Sequence, residues 1–221
     1  MKTIGHKGLF ITFEGTEGAG KSTLIQEVAR QLVQLGFQGS DIVITREPGG
    51  TPVAEQIRKT LLEQGMSPWT ELFLYEAARA EHLSVTILPA LKKGKIVLCD
   101  RFSDSSLAYQ AHARGLSWKL VKQLNTIATQ GLKPECTVLI DIDPAVGLAR
   151  AQDQNRFEKE GLAFQKKVRA GFLKAKSENP KRWIVIKPGK KNPQELGREL
   201  VLKLQSKFKT QFARRIKANH P

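Results

Sequence analysis

The 221-residue chain is 40% hydrophobic, enough for one sizeable core, and has no run of 18 apolar residues that would span a membrane. Cys99 and Cys136 have no C-x-x-C spacing and the four histidines are scattered, which argues against a disulfide scaffold or a metal cluster. The net charge of +15 is uneven: residues 156–221 hold 19 Lys/Arg against 5 Asp/Glu, or +14.

Short β-branched runs alternate with helical patterns along the chain. Strands are predicted at 9–13, 41–45, 96–99, 137–142 and 183–186. Helices are predicted at 21–35, 51–63, 68–92, 118–129, 144–151, 160–177 and 193–217, with Pro89 kinking or ending the third. Continuous apolar strands joined by helices imply a three-layer α/β/α fold around a five-stranded parallel sheet. One domain over residues 1–221 is expected, with a short lid at about 151–160. The opening MKTIGHKG lacks an apolar signal core, so a cytoplasmic location is expected.

In the last helix Asn192 suits the N-cap, Pro193 the first position and Glu195 a capping box. Leu196, Leu200, Leu204, Phe208 and Phe212 form one stripe. Lys203, Lys207, Lys209, Arg214 and Arg215 lie mostly off it. The basic surplus therefore reads as an outer helix face, and no nucleic-acid partner is expected.

The first strand runs into GTEGAGKST at residues 15–23, which fits G-x-x-x-x-G-K-[ST]. In that loop Gly15, Thr16, Glu17, Gly18, Ala19 and Gly20 would turn backbone N–H groups towards a phosphate. The helix N-terminus at Lys21, Ser22 and Thr23 adds positive potential. Lys21 would reach the β/γ-phosphates of a donor such as ATP, and the Ser22 hydroxyl a Mg²⁺ ion. The pattern identifies a phosphate site without fixing the reaction.

Ligands of parallel sheets bind beyond the carboxyl ends of strands. Those ends carry Glu14, then Arg46-Glu47-Pro48, then Asp100-Arg101 followed by Ser105, Ser106, Tyr109 and Gln110, then Asp141 and Asp143. Asp100 suits a Mg²⁺-orienting carboxylate, and Arg101 a bidentate grip on a phosphate. Arg58 and Arg79 lie on the next two helices. Tyr75 and Arg79 are spaced i, i+4, so an aromatic and a guanidinium share one face.

The stretches FEGTEGAGKST, TREPGGT, LYEAARAEH, LCDRFSDSSLAYQ, LIDIDPAVGLARA and NRFE together resemble bacterial thymidylate kinases, within the P-loop nucleoside monophosphate kinases. The resemblance covers most of the chain. It implies Mg²⁺-dependent transfer from ATP to dTMP, in a homodimer. It also implies that Tyr75 stacks on the base and Arg79 contacts it. Arg58 and Arg101 would hold the acceptor phosphate, with Arg46 and Pro48 in the same subsite. Ser105 and Ser106 would meet the pyrimidine edge, with Tyr109 and Gln110 beside the sugar. Glu14 would lie near Mg²⁺ and the acceptor phosphate. Tyr75 stands where Phe is usual, and Asn155 where Asp is usual.

The loop positions Thr16, Glu17, Gly18 and Ala19 include no basic residue. Lys21 and Arg101 would then need help at the transition state from lid arginines, Arg150 or Arg156, with Lys159 as a substitute. A competing reading is a P-loop switch or nucleic-acid binder that uses the basic C-terminal segment. It lacks an N-K-x-D motif and leaves Arg58, Tyr75 and Arg79 without a role.

Overall fold

The computed structural model describes residues 5–150 and 156–213. Its centre is β1 (Leu9–Glu14), in which every residue is buried. Around it lie β2 (Ile42–Arg46), β3 (Ile96–Asp100), β4 (Cys136–Ile140) and β5 (Trp183–Ile186). All pairings are parallel, in the order β2-β3-β1-β4-β5. The expected five-stranded α/β sheet is the one observed. β1 (LFITFE) is apolar at four of its six positions because helices cover both of its faces. Its one inward hydroxyl, Thr12, is satisfied by Thr137 of β4 at 3.0 Å.

One face is covered by α1 (Lys21–Gln34) and α10 (Pro193–Lys207), which interleave Leu24, Val28 and Leu32 with Leu196, Leu200 and Leu204. The other face packs against α3 (Pro68–His82), α4 (Leu88–Lys92), α6 (Trp118–Ala128) and α9 (Gly161–Glu178). α2 (Pro52–Glu63) lies against α3. The capping box of α10 forms as expected, with Asn192 and Glu195 exchanging hydrogen bonds of 2.9 Å each. The helix is interrupted at Phe208 and resumes over 209–213, with Phe208 and Phe212 buried in the stripe, and the expected end at 217 lies outside the described residues. Lys203, Lys207 and Lys209 are exposed, and Arg214 and Arg215 lie outside the described residues.

Three local outcomes differ from the sequence reading. Pro89 does not break the helix. A π-helical turn at Leu83–Ile87 joins α3 to α4 and widens the backbone just before the residue that lacks an N–H. Residues 103–113, where no helix is predicted, form α5 (Ser103–Ser106) and a second π-helical turn at Leu107–Ala113. β4 stops at Ile140, not 142. After it come α7 (Pro144–Arg150) and α8 (Arg156–Lys159). The expected lid therefore falls partly on 151–155, including Asn155, which lie outside the described residues. Among those described, no helix is long and apolar enough to cross a membrane.

Candidate active site

The loop after β1 is shaped by two glycines. Gly20 caps α1 with φ at 86°, where a side chain would be strained. Gly18 passes so close to α7 that a methyl group would collide with the Gly147 carbonyl. Lys21 is buried and folds back over the loop, with Nζ donating to Thr16 O at 3.1 Å and Gly15 O at 3.5 Å. Burial and the nearby Arg101 both push its pKa down. The Thr16 hydroxyl is buried without a hydrogen-bond partner.

Ser22 Oγ donates to Asp100 Oδ2 at 2.8 Å, which joins α1 to the end of β3. Asp100 Oδ1 is buried and unpartnered. An orphaned carboxylate oxygen beside a hydroxyl is a hard-oxygen donor set. It fits a Mg²⁺ ion that takes its remaining ligands from water and nucleotide phosphates. Among the described residues, no cluster of three or more metal-binding side chains exists. Gly18, Ala19, Gly20, Thr23 and Arg150 line a cavity of about 480 Å³ beside the loop, with Pro188 and Gly189 opposite.

The side chain of Glu17 faces away from that cavity. It accepts from Arg101 Nη2 at 2.7 Å and Tyr109 OH at 2.8 Å, and its own N–H reaches Gln165 Oε1 at 3.4 Å. Burial opposes its charge, but Arg101 and Lys21 hold its carboxyl below the ordinary value. Arg101 adopts φ 68°, costly for a residue with a Cβ. Its guanidinium donates to Gly15 O at 3.0 Å and lies 5.0 Å from the Tyr109 ring centre. Glu17, Tyr75, Arg101, Ser105, Tyr109, Gln110 and Phe157 enclose a small cavity of about 30 Å³.

Other expected site residues are placed differently. Arg46 is exposed and paired with Glu55 at 2.9 Å. Arg58 donates to the carbonyl of Pro48, which follows a cis peptide bond, at 3.0 Å. Arg79 is fully buried. It donates to Glu47, Glu76, Ser106 and Asn125 at 2.8–2.9 Å and to Phe102 O at 3.2 Å. Its guanidinium therefore holds together the elements behind the cavity. Arg156 pairs with Glu71 at 2.7 Å and donates to Leu61 O at 2.9 Å, away from the phosphate loop's cavity. Lys159 lies on the exposed side of α8.

Glu14 is fully buried. Its Oε1 accepts from the Phe102 N–H at 2.9 Å and its Oε2 from Ser105 Oγ at 2.6 Å. Both oxygens are thus used to clamp the turn that carries Arg101. Burial, reinforced by Asp104, raises its pKa from 4.5 to about 8. The folded protein then keeps a proton that the unfolded chain releases. Stability should fall as pH rises from about 4.5 to about 8, by up to a few kcal/mol. Glu14→Gln should flatten this slope and leave the variant relatively more stable at pH 9. Urea midpoints across pH check it; parallel curves for the two proteins would contradict a buried neutral carboxyl.

Several residues here escaped the sequence reading: Glu71, His82, Asn125, Gly147, Phe157 and Gln165. A usable signal existed for two of them. Glu71, Tyr75, Arg79 and His82 are spaced by four, four and three, so they line one face of α3. Glu47 binds Arg79 at 2.8 Å and His82 Nδ1 at 3.2 Å, a pairing across 32 and 35 residues that no local pattern reveals.

A family model described as thymidylate kinase matches residues 13–199. A thymidylate kinase of Geotalea uraniireducens is 48% identical over 191 residues, covering 81% of this chain and 88% of that protein. One of Staphylococcus haemolyticus is 48% identical over 182 residues, covering 80% and 88%. The crystal structure of thymidylate kinase from Ehrlichia chaffeensis superposes with a TM-score of 0.74 at 35% identity, covering 90% of this chain and 99% of that one.

Proposed function

Because this chain belongs to the thymidylate kinase family and phosphorylates dTMP to dTDP with ATP as donor, we propose that its two cavities divide that reaction between them. The cavity beside the phosphate loop takes ATP. The side chains around Tyr75, Arg101, Tyr109 and Gln110, which enclose only about 30 Å³ and must part to admit it, take dTMP. One observation carries the division: Glu17 belongs to the loop, yet its side chain is anchored by Arg101 and Tyr109 on the opposite side.

An acceptor phosphate oxygen attacks the γ-phosphorus in line. The new P–O bond forms as the bond to the β,γ-bridging oxygen breaks, and ADP leaves. An acceptor that is already anionic needs no general base. The side chains' work is to align two polyanions and offset their charge. Lys21 lies against the donor's β/γ-phosphates. Arg101, with Arg58, grips the acceptor phosphate. Tyr75 stacks on the base and Ser105 and Ser106 form its polar edge, joined by Gln110, which lines the enclosure beside Tyr75 and Ser105 and so reaches the base rather than only the sugar wall that the resemblance implies. Tyr109 and Glu17 border the sugar. Arg46 and Pro48 shape the acceptor loop, and Arg79 and Glu14 act from behind by holding its elements in place. Ser22 and Asp100 would hold Mg²⁺, which when bound neutralises charge on the phosphate oxygens.

Of the lid arginines, Arg150 borders the donor cavity, whereas Arg156 is held by Glu71. Arg150→Ala should therefore lower kcat more than Arg156→Ala. The deciding assay is ADP release with dTMP, dUMP, UMP, dCMP, dGMP and thymidine as acceptors. dTMP should be the best of them; a better alternative acceptor would refute the assignment of the pocket.

We place the protein in the cytoplasm, as its nucleotide substrates favour, and infer a homodimer. Trp69 and Phe73 on α3 and Leu120 and Ile127 on α6 are exposed and line one apolar groove, a surface suited to self-association. Sedimentation velocity should show a dimer that Phe73→Glu converts to monomer. A monomeric parent protein would rule it out.

A further inference from the structure

Glu71 sits one helical turn before Tyr75 on α3 and is fully buried. Its Oε1 accepts from Gln110 Nε2 at 2.7 Å and from Arg114 Nε at 2.7 Å. Its Oε2 pairs with Arg156 Nη1 at 2.7 Å. Flanked by two guanidinium groups, it is a carboxylate, and a carboxylate only accepts hydrogen bonds. Gln110 must therefore turn its NH₂ towards Glu71, because its carbonyl there would set oxygen against oxygen. The two ends of a glutamine amide have nearly the same shape, so such a charged neighbour decides which way it points. The Gln110 carbonyl oxygen is left for the enclosure that Gln110 lines with Tyr75, Ser105 and Tyr109.

We propose that Glu71 is a positioning residue for base specificity, fixing the Gln110 amide so that a hydrogen-bond acceptor faces the base edge. This rests on the acceptor-pocket reading above. An acceptor at that point takes the N3–H of a thymine- or uracil-type pyrimidine. It opposes the N3 of a cytosine-type base, which carries a lone pair and no hydrogen. Glu71 itself touches no substrate. It acts through Gln110, and without its charge the amide is free to turn over and offer its NH₂ instead.

The test is steady-state kinetics with dTMP, dUMP and dCMP on the full-length protein. Glu71→Gln keeps the size of the side chain and removes the charge. It should lower the dTMP:dCMP ratio of kcat/KM by about 10- to 100-fold, the scale of one misdirected buried hydrogen bond. The dTMP:dUMP ratio should stay put, because both bases present the same N3–H. Arg114→Gln removes a neighbouring partner of the same carboxylate and should leave both ratios alone. An unchanged dTMP:dCMP ratio, or two ratios falling together as in a loosened pocket, would overturn the proposal. Should Glu71→Gln fail to fold, Glu71→Gln/Arg114→Gln, which removes one flanking guanidinium together with the carboxylate, gives the same readout. Gln110→Ala separates this idea from the one beneath it. If it leaves dTMP binding untouched, the pocket reading is wrong. If it weakens dTMP while Glu71→Gln keeps its selectivity, only the role of Glu71 is wrong.

Discussion

Lys21→Ala is expected to lower kcat by about 10²- to 10³-fold while leaving the fold intact. Nζ is held by two loop carbonyls, so the amine is poised inside the loop rather than swinging in solvent. Those contacts are weak, at 3.1 and 3.5 Å, and a phosphate oxygen would compete well for the same charge. The loop itself has no basic residue between Gly15 and Gly20 to replace the lost cation, and the nearby Arg101 guanidinium is taken up by Gly15 O and Glu17. The carbonyls of Gly15 and Thr16 lose one donor each, a small cost beside the loss of transition-state charge. Turnover and far-ultraviolet circular dichroism, measured on the same preparation, check both halves. Near-normal turnover would remove the phosphate loop from the mechanism.

Arg101→Ala should have an effect of similar or larger size, but in kcat/KM for dTMP rather than for ATP. We expect a loss of roughly 10³-fold, and a loss nearer 10²-fold for Arg101→Lys, which keeps the charge but not the planar fork. The reasoning starts from the backbone. A left-handed φ at a residue with a side chain costs on the order of 1 kcal/mol or more and persists only where surrounding contacts enforce it. Here they do: the Arg101 N–H donates to Phe13 O at 2.9 Å, and the next N–H donates to Glu14. The strained turn brings the guanidinium under the loop, against Glu17 and within reach of Ser105 Oγ at 3.4 Å. Burial opposes its charge, yet Glu17 holds the pKa well above the ordinary arginine value. Its removal leaves buried Glu17 with the Tyr109 hydroxyl and only Lys21 as a neighbouring cation, which adds to the penalty. Initial-rate kinetics with each nucleotide varied in turn make the distinction. An equal rise in both KM values would point to a collapsed loop instead.

The fold was legible because its information is local. Buried parallel strands must be short, apolar and β-branched, and the runs at 96–99 and 183–186 are little else. The phosphate loop was legible for the same reason, since its glycines are demanded by its own backbone. What escaped is non-local. Arg79 reads as a base-contacting arginine sharing a helix face with Tyr75, and only the folded chain shows five acceptors from Glu47, Glu76, Phe102, Ser106 and Asn125 closing around it. The serine-rich residues 103–106 carry no clear helical pattern, and the contact of Ser105 with Glu14, 91 positions away, is visible only in the folded chain. The direction of Glu17 follows from how the loop is wound, which its sequence pattern leaves open.

That direction limits how far the loop can be treated as a portable cassette. Positions written as x in G-x-x-x-x-G-K-[ST] are interchangeable where a loop serves one ligand alone. Here position 17 is also a wall of the neighbouring chamber, and its carboxylate is the anchor of Arg101 and Tyr109. A loop transplanted from another nucleotide-binding protein would meet every requirement of the motif and still leave those two side chains without a tether. Under the proposed division of the site, variation at this position is constrained by the second substrate as well as by the first.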